Sequence, residues 1–197
     1  MKGKLCLLFS SCALVAATFA AGANADVLPS LVGGNCGTTS KAFAQWGDSA
    51  SYYLAGNGGF ESAGGWTFAG GATVVSGNEP FHVNGTRDAS ALRLPAGGSA
   101  TSVASCFGLL NPGVRFFATG TGTVHVQVIV NGLLGPLSIL DGGTVTVGKT
   151  WAPTAKLGTT ISQLNSLVGA KSIAFKFTAA GGTALVDDIY VDPFLAR

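Results

Sequence analysis

Pairs of adjacent glycines divide the chain beyond residue 50 into short segments, and this spacing limits the fold more than any other feature. The pairs lie at 58–59, 64–65, 70–71, 97–98, 142–143 and 181–182, and the segments between them are rich in Val, Thr, Phe and Ile. Glycine readily adopts the backbone conformations of tight turns, while β-branched and aromatic residues favour strands. Many short strands separated by turns predict an all-β sandwich.

The clearest strand pattern lies between residues 124 and 130, where every second residue is valine. A period of two predicts a strand with one buried face, and it places His125 and Gln127 on the opposite face. The segment from Thr159 to Leu167 is the one candidate for a short helix. In addition, the residues from Lys41 to Trp46 fit either a helical turn or a short strand.

The first 25 residues fit a secretory signal peptide. Lys2 and Lys4 precede an apolar run that extends to about Ala21, and small residues around Ala25 fit a cleavage site. Two alternatives are a single membrane anchor and a lipoprotein signal cut before Cys12. The run is short for a membrane span, no stop-transfer charges follow it, and Cys12 lies too early in it for a lipoprotein. We therefore expect a secreted protein, extracellular or associated with the cell surface, with no membrane span after cleavage.

The remaining length is that of one domain. We predict an N-terminal arm at residues 26–51 and a sandwich domain at 52–197. Within the arm, Phe43 and Trp46 are expected to cover one end of the core.

Cleavage of the signal peptide changes the charge and cysteine counts. Loss of Lys2 and Lys4 from the 11 Lys and Arg leaves nine, which equals the nine Asp and Glu. A neutral chain gives no electrostatic reason to expect nucleic acid or an anionic membrane surface as a partner. The cysteines that remain are Cys36 and Cys106, and we predict a disulfide between them that tethers the arm. Closing a loop of about 70 residues would stabilise the fold by about 4 kcal/mol.

Little in the sequence supports catalysis. It has two His and no Gly-x-Ser-x-Gly motif for a serine nucleophile. No cluster of His and Cys has the spacing of a zinc site. The spacing of Glu61, Glu79, Asp88 and Asp141 is not typical of the carboxylate pair of a glycosidase. We therefore expect a protein that is not an enzyme.

Four short motifs in order resemble the galactose-binding-like jelly-roll superfamily. They are Asn57-Gly-Gly-Phe-Glu61, Gly65-Trp66, Ser90-Ala-Leu-Arg-Leu94 and Val186-Asp-Asp-Ile189. Within that superfamily the chain is most similar to secreted carbohydrate-binding modules that target cellulose or xylan, over residues 52–193. The resemblance implies an antiparallel jelly-roll β-sandwich whose first and last strands lie side by side, with Trp66 at a core position.

The resemblance also implies a structural Ca²⁺ where the first and last strands meet. Glu61 and one carboxylate of the pair Asp187 and Asp188 would be ligands, with backbone carbonyls near residues 85–88. Ca²⁺ typically takes about six to eight oxygen ligands, and two adjacent acids in a chain with few acids fit that preference. Regular alternation would place Asp187 on the same face as Ile189, which makes Asp187 the better ligand if Ile189 points inward. The alternative is that both aspartates accept N–H groups from a loop.

A sugar site needs exposed aromatic rings for the faces of the sugar and polar groups for its hydroxyls. The candidate ligand-binding residues are Phe81, His82, His125, Gln127 and Trp151. Further aromatic candidates are Tyr52, Tyr53 and Tyr190. For each of these residues the alternative is a packed ring or a solvated polar face.

Two functions from different classes remain open. The first is a secreted, non-catalytic jelly roll that binds carbohydrate or cell wall. The second is a structural or interaction protein of the cell envelope with the same fold and no sugar site. Exposed aromatic residues along a groove would favour the first function, and a smooth aliphatic concave face would favour the second.

Overall fold

Two antiparallel sheets make up the protein. The computed structural model describes residues 38–107, 112–160 and 169–192. Within these ranges the regular elements are one 3-10 helix, Ala44–Trp46, and twelve strands. The strands are β1 (Tyr53–Leu54), β2 (Trp66–Ala69), β3 (Thr73–Ser76), β4 (Ser90–Leu94), β5 (Ser99–Ser102), β6 (Gly113–Gly120), β7 (Thr123–Gly132), β8 (Gly135–Thr146), β9 (Ala152–Pro153), β10 (Leu157–Gly158), β11 (Ser172–Ala180) and β12 (Ala184–Asp192).

The larger sheet is built on the long pair β6 and β12. Its order is β10-β6-β12-β4-β3, with β9 also beside β6 and β1 also beside β12. The five-stranded sheet has the order β2-β5-β11-β7-β8. The segment with alternating valines forms β7, and its valines are buried, as predicted. The all-β sandwich expected from the glycine spacing is therefore confirmed for the described residues.

The main core lies between the two sheets. Inward side chains of β4, β6 and β12 contact those of β5, β7 and β11. Phe116 from one sheet meets Phe177 from the other edge to face, with ring centroids 5.2 Å apart. Fully burying a large apolar side chain contributes about 1.5 to 3 kcal/mol, so this shared interior is the main source of stability.

The first and last strands of the sandwich are neighbours, as predicted. Tyr53 pairs with Val191 and Leu54 with Tyr190. The hydroxyl of Tyr53 also donates a hydrogen bond of 2.6 Å to the carbonyl of Cys106. This adjacency brings the turn after β1 next to the aspartate pair of β12.

A second apolar group covers the outer face of the seven-stranded sheet. Its buried members are Phe43, Tyr52, Phe117 and Tyr190, which we call the outer cluster. Phe43 stacks on Phe117 with ring centroids 5.4 Å apart, and Trp46 packs against the same group. Phe43 and Trp46 therefore do cover the sandwich, although they lie on the outer face of a sheet and not at one end of the main core.

An ion pair fixes this N-terminal segment to β6. Nη1 of Arg115 lies 2.8 Å from Oδ2 of Asp48, and the same Oδ2 accepts the hydroxyl of Tyr52 at 2.6 Å. The guanidinium carbon of Arg115 lies 4.3 Å from the centroid of the Phe43 ring. Residues 38–51 are thus packed as a layer of the domain.

Some expectations concern residues outside the described ranges. These are the signal peptide, residues 161–167 of the helix predicted from Thr159 to Leu167, and Cys36. Cys106 is disulfide-bonded and is the only cysteine within the described ranges, so its pairing with Cys36 stays a prediction. In the described part of the chain, none of the helices has the length and apolar character of a membrane span.

Candidate functional site

The two aspartates of β12 lie where this strand changes partners. β12 pairs with β4 along its first part and with β1 near its end. Between these pairings, Ile189 accepts a hydrogen bond from the N–H of Ala55 and donates one to the carbonyl of Gly58. The turn after β1 and the loop between β3 and β4 therefore meet beside Asp187 and Asp188.

A β-bulge places both aspartates in the interior. The register between β12 and β6 shifts between Asp187 and Tyr190, and Asp188 has a φ of 47°. Val186 and Ile189 consequently both face the main core, although a regular strand would place them on opposite faces. The expectation that Asp187 shares a face with Ile189 is wrong, because the extra residue reverses the alternation.

Backbone N–H groups engage both oxygens of Asp187. Its Oδ2 accepts the N–H of Glu79 at 3.0 Å, and its Oδ1 accepts the N–H of Asp188 at 2.8 Å. Glu79 is also fully buried, and its two carboxylate oxygens accept the N–H groups of Phe81 and Val83. Asp187 thus accepts the N–H of a loop residue, Glu79, as the alternative to a ligand role expects, and its part in a metal site stays a prediction.

Asp188 has one oxygen engaged and one without a partner. Its Oδ2 accepts the N–H of Asn84 at 2.9 Å, while its buried Oδ1 has no hydrogen-bond partner. A β-carbon on Gly59 would lie 3.1 Å from this Oδ1 and 3.7 Å from Oδ2 of Asp88. The space beside Gly59 is bounded by these two carboxylates and by Nδ2 of Asn84, which would lie 3.0 Å from that β-carbon and donates to Oδ2 of Asp88 at 2.7 Å. A buried carboxylate oxygen without a donor is costly, so the arrangement suits a bound cation.

Burial raises the pKa values of both aspartates. It is the largest cause in each case, and the pKa rises to about 7 for Asp187 and to about 8 for Asp188. For Asp188 the next cause is repulsion by Asp187, and Glu79 and Asp88 add to the repulsion at both residues. Hydrogen bonds from backbone N–H groups oppose these effects without cancelling them. The cluster therefore favours either protons or a cation at neutral pH.

The metal-free protein should lose stability as the pH rises from about 4 to about 8. In this window the folded state holds protons on Asp187 and Asp188 that the unfolded chain, with a carboxyl pKa near 3.9, has released. Glu79, Asp88 and Tyr190 face the pair and supply no compensating positive charge. Denaturant unfolding in chelator at pH 4 to 9 measures this slope. A free energy of unfolding that increases over the window would contradict the assignment, and Asp188→Asn should flatten the slope.

The donor set fits a hard cation in part. Asp188 and Asp88 offer carboxylate oxygens, and Ca²⁺ can complete a shell of about six to eight oxygens with carbonyls and water. Within the described ranges, however, no three side chains of His, Cys, Asp or Glu are grouped as they would be around a metal. Glu61 uses its Oε1 to accept the N–H groups of Ala89 and Ser90, at 2.8 and 2.7 Å. The roles of Ca²⁺ and of Glu61 as a ligand remain predictions.

Asn57 and Trp66 hold the turn that follows β1. Asn57 has a φ of 52°, and its side-chain amide donates to the carbonyls of Ser62 and Gly64 at 2.7 and 2.8 Å. Nε1 of Trp66 lies 3.0 Å from the carbonyl of Gly56 and from that of Asn57. The ring of Trp66 packs against the main core, which confirms its predicted packing role.

The five predicted ligand-binding residues lie on opposite sides of the sandwich. Phe81 and Trp151 border the outer cluster on the seven-stranded sheet, and His82 follows Phe81 in the same loop. His125 and Gln127 belong to β7 in the five-stranded sheet. The remaining aromatic candidates are buried, namely Tyr52, Tyr53 and Tyr190. One binding surface cannot include all the predicted residues.

Cross-strand pairing aligns polar side chains across the whole five-stranded sheet. One row runs from edge to edge through Thr67, Thr101, Lys176, Gln127 and Asp141. The adjacent row runs through Ala69, Ser99, Thr178, His125 and Thr144. We call these two rows the polar face. With about 4.8 Å between neighbouring strands, the polar face extends over roughly 19 Å.

The polar face carries one acidic and one basic side chain, and its side chains make polar contacts with each other. Nε2 of His125 lies 3.0 Å from Oδ1 of Asp141. The N–H of Gly143 and the His125 ring both hydrogen-bond this carboxylate and lower its pKa. Lys176 carries the opposite charge. Neither row contains Phe, Trp or Tyr, so the exposed aromatic rings expected of a sugar site do not lie on the polar face. Sequence reasoning missed Thr101 and Lys176, because only the strand register shows that they lie beside Gln127.

Several exposed aliphatic residues project from the hairpin of β7 and β8. Leu133 and Leu134 at its tip are 85% and 100% exposed, and Leu137 and Ile139 on β8 are more than half exposed. Such a group of apolar side chains is typical of a surface that associates with another molecule. Among the described residues, this group supports the alternative of an interaction protein.

Comparisons with known proteins identify similar folds and no similar sequences. No protein-family model matches the chain, and no curated protein does. The tandem of two family 22 carbohydrate-binding modules from Paenibacillus barcinonensis Xyn10C is similar with a TM-score of 0.50 and 11% identity, over 75% of this chain and 47% of that one. The first of these modules, a xylan-binding domain, gives a TM-score of 0.48 and 12% identity, over 74% and 99% of the two chains.

A third similar structure comes from an enzyme. It is the enzymatically active domain of tailspike protein 4 of bacteriophage CBA120, with a TM-score of 0.47 and 19% identity, over 72% of this chain and 21% of that one. The chain thus spans about half of the tandem and about a fifth of the tailspike domain. At these identities the similarity shows the fold alone. The predicted resemblance to carbohydrate-binding modules with a jelly-roll fold is confirmed at that level.

Proposed function

We propose that the protein is a secreted, non-catalytic jelly roll that binds a neutral polysaccharide or cell-wall glycan along the polar face. The observation that carries this proposal is the pair of aligned rows, of which one is polar on all five strands and the other on four. The fold shared with carbohydrate-binding modules supports it.

The chemistry of the polar face suits sugar hydroxyls. Each hydroxyl both donates and accepts hydrogen bonds, and Gln127, His125 and the threonines can do the same. Lys176 and Asp141 have opposite charges, so the surface does not select strongly for an anion or a cation. A strip of roughly 19 Å is long enough for several consecutive sugar rings to lie across the strands.

We also propose that a structural Ca²⁺ binds beside Gly59, with Asp188 and Asp88 as the side chains that contact it. Its support is the unpartnered Oδ1 of Asp188 together with the raised pKa values of the pair. The ion would fasten the turn after β1 to the loop between β3 and β4. It would stabilise the domain without contacting the glycan, because the polar face lies on the other sheet.

Substitutions on the polar face test the binding surface. We expect Gln127→Ala combined with Thr101→Ala to weaken retention on insoluble xylan or cellulose at least about tenfold, because two hydrogen-bonding groups are lost. Both side chains are only partly buried on the outer face, so the variant should fold normally. Depletion pull-downs and affinity electrophoresis in soluble β-glucan measure the loss.

Phe81→Ala is the matched control for this experiment, since it removes a partly exposed ring from a loop that packs over the opposite sheet. It should leave retention unchanged. Loss of retention in Phe81→Ala alone would move the binding surface to the outer cluster. The interaction-protein alternative would be favoured if the folded wild-type protein bound no glycan and self-associated. Leu134→Ser should then abolish the self-association.

A further inference from the structure

The hairpin of β7 and β8 concentrates the exposed apolar side chains of the protein. Within the described ranges eight large hydrophobic residues are exposed, and four of them lie between residues 133 and 139. We call these four the hairpin patch, namely Leu133, Leu134, Leu137 and Ile139. The other four are scattered, with Phe68 on β2, Val74 on β3, Phe81 in a loop and Val103 after β5. One short segment therefore holds half of the exposed large apolar side chains.

The two leucines at the tip are a poor choice for the turn itself. Gly132 pairs with Gly135, so Leu133 and Leu134 form a two-residue connection between β7 and β8. The commonest turns of this length favour Gly, Asn or Asp, because their backbone requires positive φ values. Leu133 and Leu134 do not have positive φ values, and both side chains are almost fully exposed. Because they add little to the hairpin, a contact outside the domain is the better explanation for them.

The chemistry of the hairpin patch favours an identical patch as its partner. Its four side chains are aliphatic, and the sequence has no charged or aromatic residue between Val126 and Leu140. A glycan or a charged partner would need polar groups, and a membrane surface typically selects Lys, Arg, Trp or Tyr beside the apolar side chains. An aliphatic patch is complementary to its own copy, because it carries no charge that a second copy would repel.

The size of the hairpin patch fits a weak dimer. The exposed fractions of its four side chains add up to about three fully exposed aliphatic side chains. This is roughly 300 Å² of apolar surface on each copy, and patches of this size on monomers are often functional. A stable dimer buries about 800 Å² on each partner, so the hairpin patch supports a reversible dimer and not a permanent one.

We propose that the protein forms a weak, symmetric homodimer through the hairpin patch. A two-fold axis beside the hairpin places Leu133 and Leu134 of one copy against Leu137 and Ile139 of the other, and the reverse. The hairpin lies at an edge of the five-stranded sheet, because β8 is the last strand in its order. Exposed apolar side chains at the edge of a sheet are a common site of association between chains.

Sedimentation equilibrium between about 5 µM and about 1 mM tests the dimer. The wild-type protein should show a reversible monomer–dimer equilibrium with a Kd of about 0.01 to 1 mM. Leu133→Ser combined with Leu134→Ser should raise this Kd at least about tenfold, because two side chains that only the dimer buries are lost. Both residues are almost fully exposed in the monomer, so the variant should keep the wild-type melting temperature.

Val103→Ser provides the comparison, since it removes an exposed aliphatic side chain that lies outside the hairpin. It should leave the Kd of the dimer unchanged. The proposal is overturned if the wild-type protein stays monomeric at about 1 mM, or if the double variant associates as well as wild type. Open-ended association would contradict the two-fold arrangement. Flotation of wild type, but not of the double variant, with phosphatidylcholine vesicles would reassign the hairpin patch to a membrane.

The dimer does not depend on glycan binding by the polar face. The hairpin patch shares no residue with the two polar rows. The double variant should therefore keep the wild-type affinity for a soluble xylo-oligosaccharide in a chemical-shift titration. Absence of glycan binding would contradict the proposed function and leave the dimer standing, and a monomeric wild-type protein would leave glycan binding standing.

Discussion

Saturating Ca²⁺ is expected to raise the melting temperature by about 5 to 10 °C relative to EDTA. At a Ca²⁺ concentration one hundred times the Kd, binding to the folded state alone adds about 2.7 kcal/mol, and each kcal/mol shifts the melting temperature of a domain of this size by about 2 to 4 °C. The physical source is the buried Oδ1 of Asp188, which has no donor, and the repulsion from Asp187 and Asp88. Differential scanning calorimetry at pH 8 measures the shift.

Substitution of the acids separates this explanation from general salt effects. Asp188→Asn should abolish the Ca²⁺ shift, and in EDTA it should melt at or above the wild-type temperature because a buried repulsive charge is gone. Asp141→Asn is the matched control, since this exposed carboxylate lies on the other sheet and should leave the shift unchanged. Glu61→Gln decides whether the predicted ligand Glu61 takes part. Equal melting temperatures of the wild-type protein in EDTA and in Ca²⁺ would contradict the proposed Ca²⁺ site.

Phe43→Ala is expected to destabilise the domain by about 3 to 5 kcal/mol and to lower its melting temperature by about 6 to 20 °C. Phe43 is fully buried, stacks on Phe117 and lies under the guanidinium of Arg115. Its loss would leave a cavity beneath the ion pair of Arg115 and Asp48, so it would loosen both the apolar and the charged attachment of residues 38–51.

Phe68→Ala provides the control for this substitution, because Phe68 is 39% exposed on the edge strand β2. It should cost much less than Phe43→Ala in urea unfolding. Equal and small losses for the two variants would show that the N-terminal segment is a loose arm and would contradict the packing described above.

Local patterns in the sequence were sufficient to predict the fold class. The valines of β7 alternate with period two, and glycine pairs mark turns such as the one between β2 and β3. The motif around Asn57 predicted the contact between β1 and β12, since its turn hydrogen-bonds to Ile189. The bulge at Asp188 was not predicted, because a positive φ at an aspartate depends on the loops that close over it.

The candidate sites were predicted less completely, for reasons of register and burial. Asp187 and Asp188 were recognised as an unusual acid pair, but Glu79 was not recognised as their fully buried neighbour. His125 and Gln127 were assigned to an outward face, whereas Lys176 joins them only through pairing between distant strands.

Chemical-shift mapping with a soluble xylo- or cello-oligosaccharide tests the central claim most directly. With ¹⁵N-labelled, Ca²⁺-loaded protein, we predict saturable shifts that concentrate on Thr101, Gln127, His125 and Thr178 and leave Phe81 and Trp151 unchanged. Shifts centred on Phe81 and Trp151, or none at saturating oligosaccharide, would contradict glycan binding by the polar face.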